Sequence, residues 1–389
     1  MSQLLESRWS ETKEALLEGL QGNKRSVMAT TLENTRKYLA ESATAGATSA
    51  GNVATLNRVI LPVIRRVMPT VIANELVGVQ PMTGPVGQIH TLRVRYSDTF
   101  SGSTGGSTTA GEEALSPFKI AEGYSGVTPG KAAATAALEG VAGNKLSIQI
   151  LKQTVEAKTR KLSARWTFEA AQDAQAQQGI DIEAEIMAAL AQEITAEIDQ
   201  EVLRSLAGLS STVLTYDQAA VSGTATFVGD EHAALAVQIN RASNLIAQRT
   251  RRCAGNWAVV SPTTLTLLQS ATTSAFARTT EGTFEAPTNT KFVGTLNSAM
   301  KVYVNTYAEN DNVLVGYKGG SESDAAAFYC PYIPLMSSGV VLDPATFEPV
   351  VSFMTRYGYV ELTNTASSLG NAADYLATVA VTSANLRFA

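Results

Sequence analysis

The chain has 389 residues, of which 45% are hydrophobic and 17% are charged, and its formal net charge is −5. This composition supports a folded protein of two or three domains and excludes a strongly basic nucleic-acid-binding domain, which needs clustered lysine and arginine. Met1 is followed by a polar stretch without the layout of a signal peptide, and no run approaches the length of a membrane span. We therefore expect no membrane partner.

The N-terminal residues predict an arm. Leu5 and Trp9 share a helical spacing within residues 3–18, which indicates a short amphipathic helix. Residues 42–51 are small and polar, as in a flexible linker. We expect residues 1–57 to form a mobile arm that needs a surface to bury its apolar side chains. That surface could belong to the same subunit or to a neighbour.

A mainly helical segment over residues 58–85 is expected to precede a long hairpin. Residues 86–96 and 146–160 alternate apolar and polar side chains, and the stretch 101–111 between them is rich in Gly, Ser and Thr. These features predict a two-stranded hairpin over residues 86–160. An isolated hairpin is marginally stable in water, so we expect its faces to be covered by other structure.

Residues 181–207 predict one long helix, because they contain no Gly or Pro and are rich in helix formers. Their apolar residues recur every four positions: Ile182, Ile186, Leu190, Ile194, Ile198, Val202 and Leu206. A helix repeats every 3.6 residues, so this stripe rotates by about 40° at each step. We expect the helix to contact different neighbours at its two ends, with Ile182 and Ile186 near the base of the hairpin and Ile198 to Leu206 against a sheet.

The second half predicts mixed α and β structure. A helix is expected over 230–252, followed by a strand at 257–260 and a second helix capped by Ser261 before Pro262. Further strands are expected at 301–307, 312–318, 325–333, 349–361 and 374–381. The strands and helices do not alternate regularly, so the predicted fold class is α+β.

The residues indicate no catalytic, cofactor-binding or metal site. The two histidines, His90 and His232, fall in different predicted elements, and we interpret them as a packed strand residue and a surface helix residue. Cys253 and Cys330 are far apart in apolar settings, which favours buried free thiols. No Gly-x-Ser-x-Gly or His-Glu-x-x-His motif is present. We predict a binding or structural protein, and an enzyme of unrecognised type is kept as an alternative.

Three stretches, at 63–96, 154–186 and 301–360, carry a resemblance to a known family. They include the phrases RRVMPTVIANELVGVQPM, FYCPYIPLM and TFEPVVSFMTRYG. Together they resemble the major capsid protein of tailed phages of the T-even type. That family is built on the HK97-type fold, so the resemblance implies an α+β capsid subunit. The chain is shorter than the family between Tyr96 and Leu151, and we expect the additional domain on the family's hairpin to be absent.

The resemblance implies a domain assignment. It comprises an N-terminal arm (1–57), a helical segment (58–85), the hairpin called the E-loop (86–160), a peripheral domain with the long spine helix (161–207 and 341–389), and an axial domain (208–340).

The resemblance also implies a function. Copies of the chain are expected to assemble into hexamers and pentamers that close an icosahedral or prolate head around double-stranded DNA, without sequence-specific binding. Expected partners are a portal, a scaffold, and decoration or vertex proteins. The expected location is the virion, after assembly in the host cytoplasm. The alternative is a shell of the same fold, as in encapsulins, that stores protein cargo.

The hypothesis supplies candidate functional residues. Candidate inter-subunit contacts are Leu5, Trp9, Arg93, Arg95, Phe118, Tyr124, Glu156, Lys158 and Arg160. Family members are cleaved by a prohead protease after a Leu/Ile-x-Glu signal, and Glu18 and Glu41 each end such a signal. No catalytic residue and no cofactor is predicted.

Overall fold

The structure is a computed structural model. It describes residues 9, 13–14, 16–17, 20, 22–44, 72–101, 106–114, 123–126, 132–140, 142–178, 181–221, 228–250, 253–271, 276–278, 291–297, 299–320, 324–343, 345–346, 348–363 and 371–382. The chain divides into two compact units. The first comprises Met1–Gly87, Thr154–Leu203 and Phe328–Val360, and the second comprises Gln88–Gln153, Arg204–Ala327 and Glu361–Ala389.

Helices and strands are both abundant, so the predicted α+β class is confirmed. The helices are α1 (Gly22–Thr44), α2 (Ala73–Leu76), α3 (Thr135–Leu138), α4 (Phe168–Gln178), α5 (Ile182–Leu209), α6 (Gln218–Val221), α7 (Val228–Thr250) and α8 (Pro262–Ser270), and a 3₁₀ turn spans Ala372–Tyr375. The strands are β1 (Gly78–Val79), β2 (Val86–Tyr96), β3 (Glu113–Ala114), β4 (Leu146–Glu156), β5 (Lys158–Arg165), β6 (Thr212–Tyr216), β7 (Trp257–Val260), β8 (Phe276–Arg278), β9 (Lys291–Leu296), β10 (Met300–Val304), β11 (Val313–Gly316), β12 (Ala327–Ser337), β13 (Val341–Leu342), β14 (Pro349–Glu361) and β15 (Leu376–Val381). No helix in the described part of the chain is both long and apolar enough to cross a membrane.

The first unit is built on a five-stranded sheet. Its strands run in the order β1-β12-β14-β13, and β5 also pairs with β14. The β5–β14 pair is antiparallel and places Arg165 opposite Val350 and Lys158 opposite Tyr357. Alternate residues of β14 are buried, as a strand with one covered face requires. Phe353 is fully buried on that face.

Helix α5 confirms the predicted long helix, beginning one residue later and ending two residues later than expected. Ile194, Ile198, Val202 and Leu206 are at most 1% exposed. A second row is also buried: Ala191, Thr195, Asp199 and Leu203 follow directly after Leu190, Ile194, Ile198 and Val202. Because these pairs recur every four residues, the buried face rotates around the helix axis as predicted. Ile182 and Ile186 are only partly buried, and their predicted contacts with the hairpin base stay a prediction.

Helix α1 packs within its own unit. Val27, Met28 and Leu32 are at most 3% exposed. The Asn34 side-chain amide donates to the backbone carbonyls of Met82 and Tyr332, at 2.7 and 3.1 Å. At the described side chains of residues 22–36, the apolar face of α1 is therefore covered within the first unit, and the mobile arm expected over residues 1–57 stays a prediction. The linker was predicted at residues 42–51, but residues 42–44 belong to helix α1. The rest of the predicted linker lies outside the described residues.

The second unit contains a seven-stranded mixed sheet in the order β6-β15-β11-β7-β10-β9-β8. Helix α7 lies against β15, β6 and β11, and α8 packs against α7. The predicted cap is confirmed, because the Ser261 hydroxyl accepts the Thr264 backbone N–H at 3.1 Å at the start of α8.

This sheet changes the expected grouping of the C-terminal residues. We predicted that 341–389 accompanies the spine helix, but strand β15 pairs with β6 and β11 in the second unit. Conversely, residues 328–340, predicted as axial, lie in the first unit as part of β12 and the turn after it. Strand pairing between segments distant in the chain decides this grouping, and single-sequence periodicity does not specify it.

The histidine and cysteine predictions need correction. His232 is 3% exposed, with its Nδ1 at 2.6 Å from the Ser270 hydroxyl, whereas His90 is exposed. The prediction of a packed His90 and a surface His232 was therefore wrong for both residues. Cys253 and Cys330 are free thiols, but only Cys330 is buried. Position within an amphipathic element did not predict which of these side chains face the core.

Candidate inter-subunit surface

The predicted hairpin is present as a small sheet in the order β3-β2-β4. It has a core of its own, formed by Tyr96, Ala114 and Tyr124, with Val94 and Phe100 packed against it. The rings of Tyr96 and Tyr124 meet edge to face with centroids 4.5 Å apart. The hairpin is thus held together by local packing at this point of its length.

Hydrogen bonds fix the position of Tyr124 in this core. Its hydroxyl donates to the Lys145 carbonyl at 2.7 Å and accepts the Asp98 backbone N–H at 3.2 Å. The Asp98 carboxylate in turn accepts the Lys145 N–H at 2.8 Å. These contacts join the segments that flank the hairpin tip and hold the start of β4 in register with β2.

Strand β4 leaves an apolar row uncovered. Leu146, Ile148 and Ile150 are 51%, 71% and 67% exposed. They are two residues apart, so their side chains share one face of the strand. Strand β4 is also the last strand of its described sheet, so one side of its backbone lacks a strand partner. We call Leu146, Ile148 and Ile150 the apolar row.

The apolar row was missed at the sequence level, although a signal existed. Apolar residues at every second position, separated by Ser147 and Gln149, normally indicate a strand with one buried face. Within the single chain this face is exposed. An uncovered row of large aliphatic side chains on an edge strand is typical of a surface that another polypeptide covers.

Two predicted contact residues lie inside the hairpin instead. Arg93 and Arg95 are 4% and 7% exposed, and Arg93 forms an ion pair with Glu113 on β3 at 2.8 Å. Tyr124, also predicted as a contact, belongs to the hairpin core at 7% exposure. These three side chains are therefore not exposed to a neighbouring subunit in the single chain. They stabilise the hairpin that carries the exposed surface.

The other aromatic candidates are placed in part. Trp9 packs against α1, where its Nε1 donates to the Glu33 carboxylate at 3.3 Å and its ring lies 5.7 Å from the Arg36 guanidinium carbon. Leu5 and Phe118 lie outside the described residues.

The charged candidates lie at the junction of β4 and β5 and differ in their surroundings. Glu156 and Lys158 are exposed and remain available to a neighbour. Arg160 is partly buried, and it joins Glu197 and Glu201 of α5 at 2.8 and 2.5 Å. Arg160 therefore fastens the spine helix to β5 within the first unit.

A tyrosine completes the Arg160 network. The Arg160 Nε donates to the Tyr357 hydroxyl at 2.6 Å, and that hydroxyl donates to Glu201. Burial acts to raise the pKa of Glu201, but the hydrogen bonds from Tyr357 and Arg160 outweigh it and hold the pKa below its ordinary value. The network is thus arranged to keep Glu201 ionised between helix and sheet.

The candidate cleavage residues are placed only in part. Glu41 falls in the last turn of α1, and Glu18 lies outside the described residues. Among the described residues, no group of three or more His, Cys, Asp or Glu is arranged to hold a metal ion.

Comparison with known proteins gives a consistent result. The model of the family described as Major capsid protein Gp23 matches residues 53–383. A protein called "Major capsid protein" from Vibrio phage KVP40 is 30% identical over 422 aligned residues, covering 85% of this chain and 82% of the relative. The protein of the same name from Enterobacteria phage T4 is 30% identical over 411 aligned residues, covering 82% and 78%.

Solved structures with partial likeness include two from phages. One from Microbacterium phage Oxtober96 has a TM-score of 0.45 and 11% identity, covering 79% of this chain and 90% of that one. Another, titled "The capsid of Myoviridae Phage XM1", has a TM-score of 0.43 and 10% identity, covering 79% and 91%.

Proposed function

The chain belongs to the Major capsid protein Gp23 family and is a structural capsid protein of a tailed phage, and we propose that its copies assemble by laying the apolar row of one hairpin on an adjacent copy. The family is one of structural proteins, and neither an enzyme nor a storage shell of the encapsulin type is favoured. The implied HK97-type elements, an extended hairpin followed by a spine helix and a mixed second sheet, occur in that order along the chain.

The observation that carries the proposal is the exposure of the apolar row. Burying a large aliphatic side chain is worth roughly 1.5–3 kcal/mol when burial is complete. The three side chains are about half to two-thirds exposed in the single chain, so covering them contributes on the order of 4 kcal/mol per hairpin. A shell repeats this contact many times, so a modest contribution from each hairpin adds up over the assembly.

The proposed assembly is made of hexamers and pentamers that close a head around double-stranded DNA. The net charge of −5 supports a container that holds DNA without tight binding, because strong affinity for phosphate requires clustered cations. A portal, a scaffold, and decoration or vertex proteins would complete the particle, with assembly in the host cytoplasm. We keep the name peripheral as a proposal for the part of the chain around the spine helix, and the name axial for residues 208–327 of the second unit, whose residues 88–153 belong to the hairpin.

Electron microscopy of the purified chain tests self-assembly. Closed shells, rings or tubes built from hexameric and pentameric units are expected over a range of salt concentration and pH. Monomers that persist under every condition would contradict the proposal. The contents of shells purified from an infected host distinguish the two kinds of container, because nucleic acid is expected and a packaged enzyme would favour the storage alternative.

A further inference from the structure

One buried acidic residue on the spine helix has no role in the proposed assembly. Asp199 is 1% exposed, and its Oδ1 accepts the Ile72 backbone N–H at 2.8 Å. Its Oδ2 has no hydrogen-bond partner among the described residues. An ionised carboxylate with an unpaired buried oxygen is unfavourable, because burial removes the water that would stabilise its charge.

The hydrogen bond from Ile72 ties α5 to another part of the first unit. Ile72 immediately precedes α2. Strand β1 comes after α2 and pairs in parallel with β12. Ile72, Leu76 and Val77 are at most 4% exposed. Residues 72–79, which we call the junction, therefore pack tightly, and Asp199 meets the first backbone N–H of this segment.

Among the described residues, no cation forms an ion pair with Asp199. From β12, Tyr329 faces Asp199, and burial together with nearby negative groups, Asp199 among them, raises the pKa of Tyr329. The ring of Tyr329 contacts the ring of Tyr357. The Tyr357 hydroxyl donates to Glu201, and Glu201 is paired with Arg160. On α2, Glu75 is paired with Lys24 of α1 at 2.6 Å.

Lys24 and Arg160 are thus paired with other carboxylates, and within the described part of the chain no ion pair offsets the burial of Asp199. Burial raises the pKa of Asp199 to about 7, and the single bond from the Ile72 N–H opposes this only in part.

We propose that Asp199 is a proton-dependent latch, which holds the junction against α5 firmly when its carboxyl carries a proton and weakly when it is ionised. With the proton bound, the carbonyl oxygen still accepts from Ile72 and no buried charge remains. After ionisation, states in which the junction opens and water reaches the carboxylate become more populated.

The direction of the pH dependence follows from the raised pKa. A carboxyl whose pKa is higher in the closed state favours that state fully below about pH 4, and the advantage is lost as the pH rises to about 7. With an ordinary pKa of 3.8 in the open state, the opening equilibrium increases roughly a hundredfold between pH 5 and pH 8. The lowered pKa of Glu201 affects stability in a different pH range, because its stabilising contribution is lost only as the pH falls below the ordinary pKa of 4.5.

Hydrogen exchange of the full chain at pH 5, 6, 7 and 8 tests the latch, after correction for the intrinsic pH dependence of exchange. The protection of peptides from residues 72–79 is expected to fall roughly a hundredfold across this range. Asp199→Asn keeps the acceptor for Ile72 and cannot ionise, so its profile is expected to be flat. The matched control Glu193→Gln changes an exposed carboxylate on the same helix and should leave the wild-type profile intact.

Two results would overturn the latch. The first is a flat wild-type profile over residues 72–79, and this result is decisive even if Asp199→Asn fails to fold. The second is an Asp199→Asn profile that still falls as the wild type does. The measurement follows local opening in one unit and does not depend on shell formation, so its failure would leave the proposed function unaffected.

Discussion

A chain carrying Ile148→Asp and Ile150→Asp is expected to fold normally and to form no closed shells. Both side chains are exposed within the chain, at 71% and 67%, so replacing them removes little intramolecular packing. At an interface, each change removes apolar burial and forces an unpaired carboxylate out of water. Together these effects weaken each contact by roughly 5 kcal/mol, which is more than a thousandfold.

Sedimentation velocity and electron microscopy measure the loss of assembly, and thermal unfolding followed by circular dichroism checks the fold. The matched control is Ser147→Asp with Gln149→Asp, which adds the same charge to the same strand on its other face. The control is expected to assemble better than the variant of the apolar row. Shells formed by the Ile148 and Ile150 variant at wild-type protein concentration would contradict the proposed use of this surface.

Gly358→Val is expected to destabilise the first unit strongly. Gly358 lies in β14 where β4 ends, and a side chain there would overlap Val155 Cγ1 and lie 3.2 Å from the Glu156 carbonyl oxygen. Val155 is 2% exposed and cannot turn away into solvent, and the carbonyl belongs to the backbone. Relieving the overlap requires the strands to separate, at a cost of roughly 3 kcal/mol or more.

Urea unfolding of the full chain measures this cost as a lower urea midpoint for the unfolding of the first unit. Gly208→Ala provides the control, because the residue is inside helix α5 and, apart from its chain neighbours and the helix's own backbone, no described atom lies within 4 Å of the added Cβ. That change is expected to be neutral or to stabilise by up to about 1 kcal/mol. Equal midpoints for Gly358→Val and the wild type would show that β14 and β4 are not packed as described.

The sequence predicted the elements whose patterns are local. The long run of helix formers specified α5, and alternation specified β2 and β4. Several strands of the second half were also predicted, but β6, β8, β9 and β13 were missed. The rotating stripe of α5 was also visible, because a spacing of four residues on a 3.6-residue helix turns with each step. These features depend only on residues that are close together in the chain.

The sequence could not predict which polar side chains are buried. Arg93 and Arg95 alternate like solvent-facing strand residues, yet both are buried beside the short strand β3, where Arg93 pairs with Glu113. Asp199 and His232 occupy helix positions that look polar, and only the packing of distant segments buries them. The exposure of Ile148 escaped prediction for the opposite reason, since its alternation indicates a covered face that the single chain does not cover.

A cryo-electron microscopy map of the assembled wild-type particle tests the central claim most directly. In every hexamer and pentamer, side chains of an adjacent copy should lie within van der Waals contact of Leu146, Ile148 and Ile150. A map in which the apolar row faces solvent, or is covered only by residues of its own chain, would contradict the account.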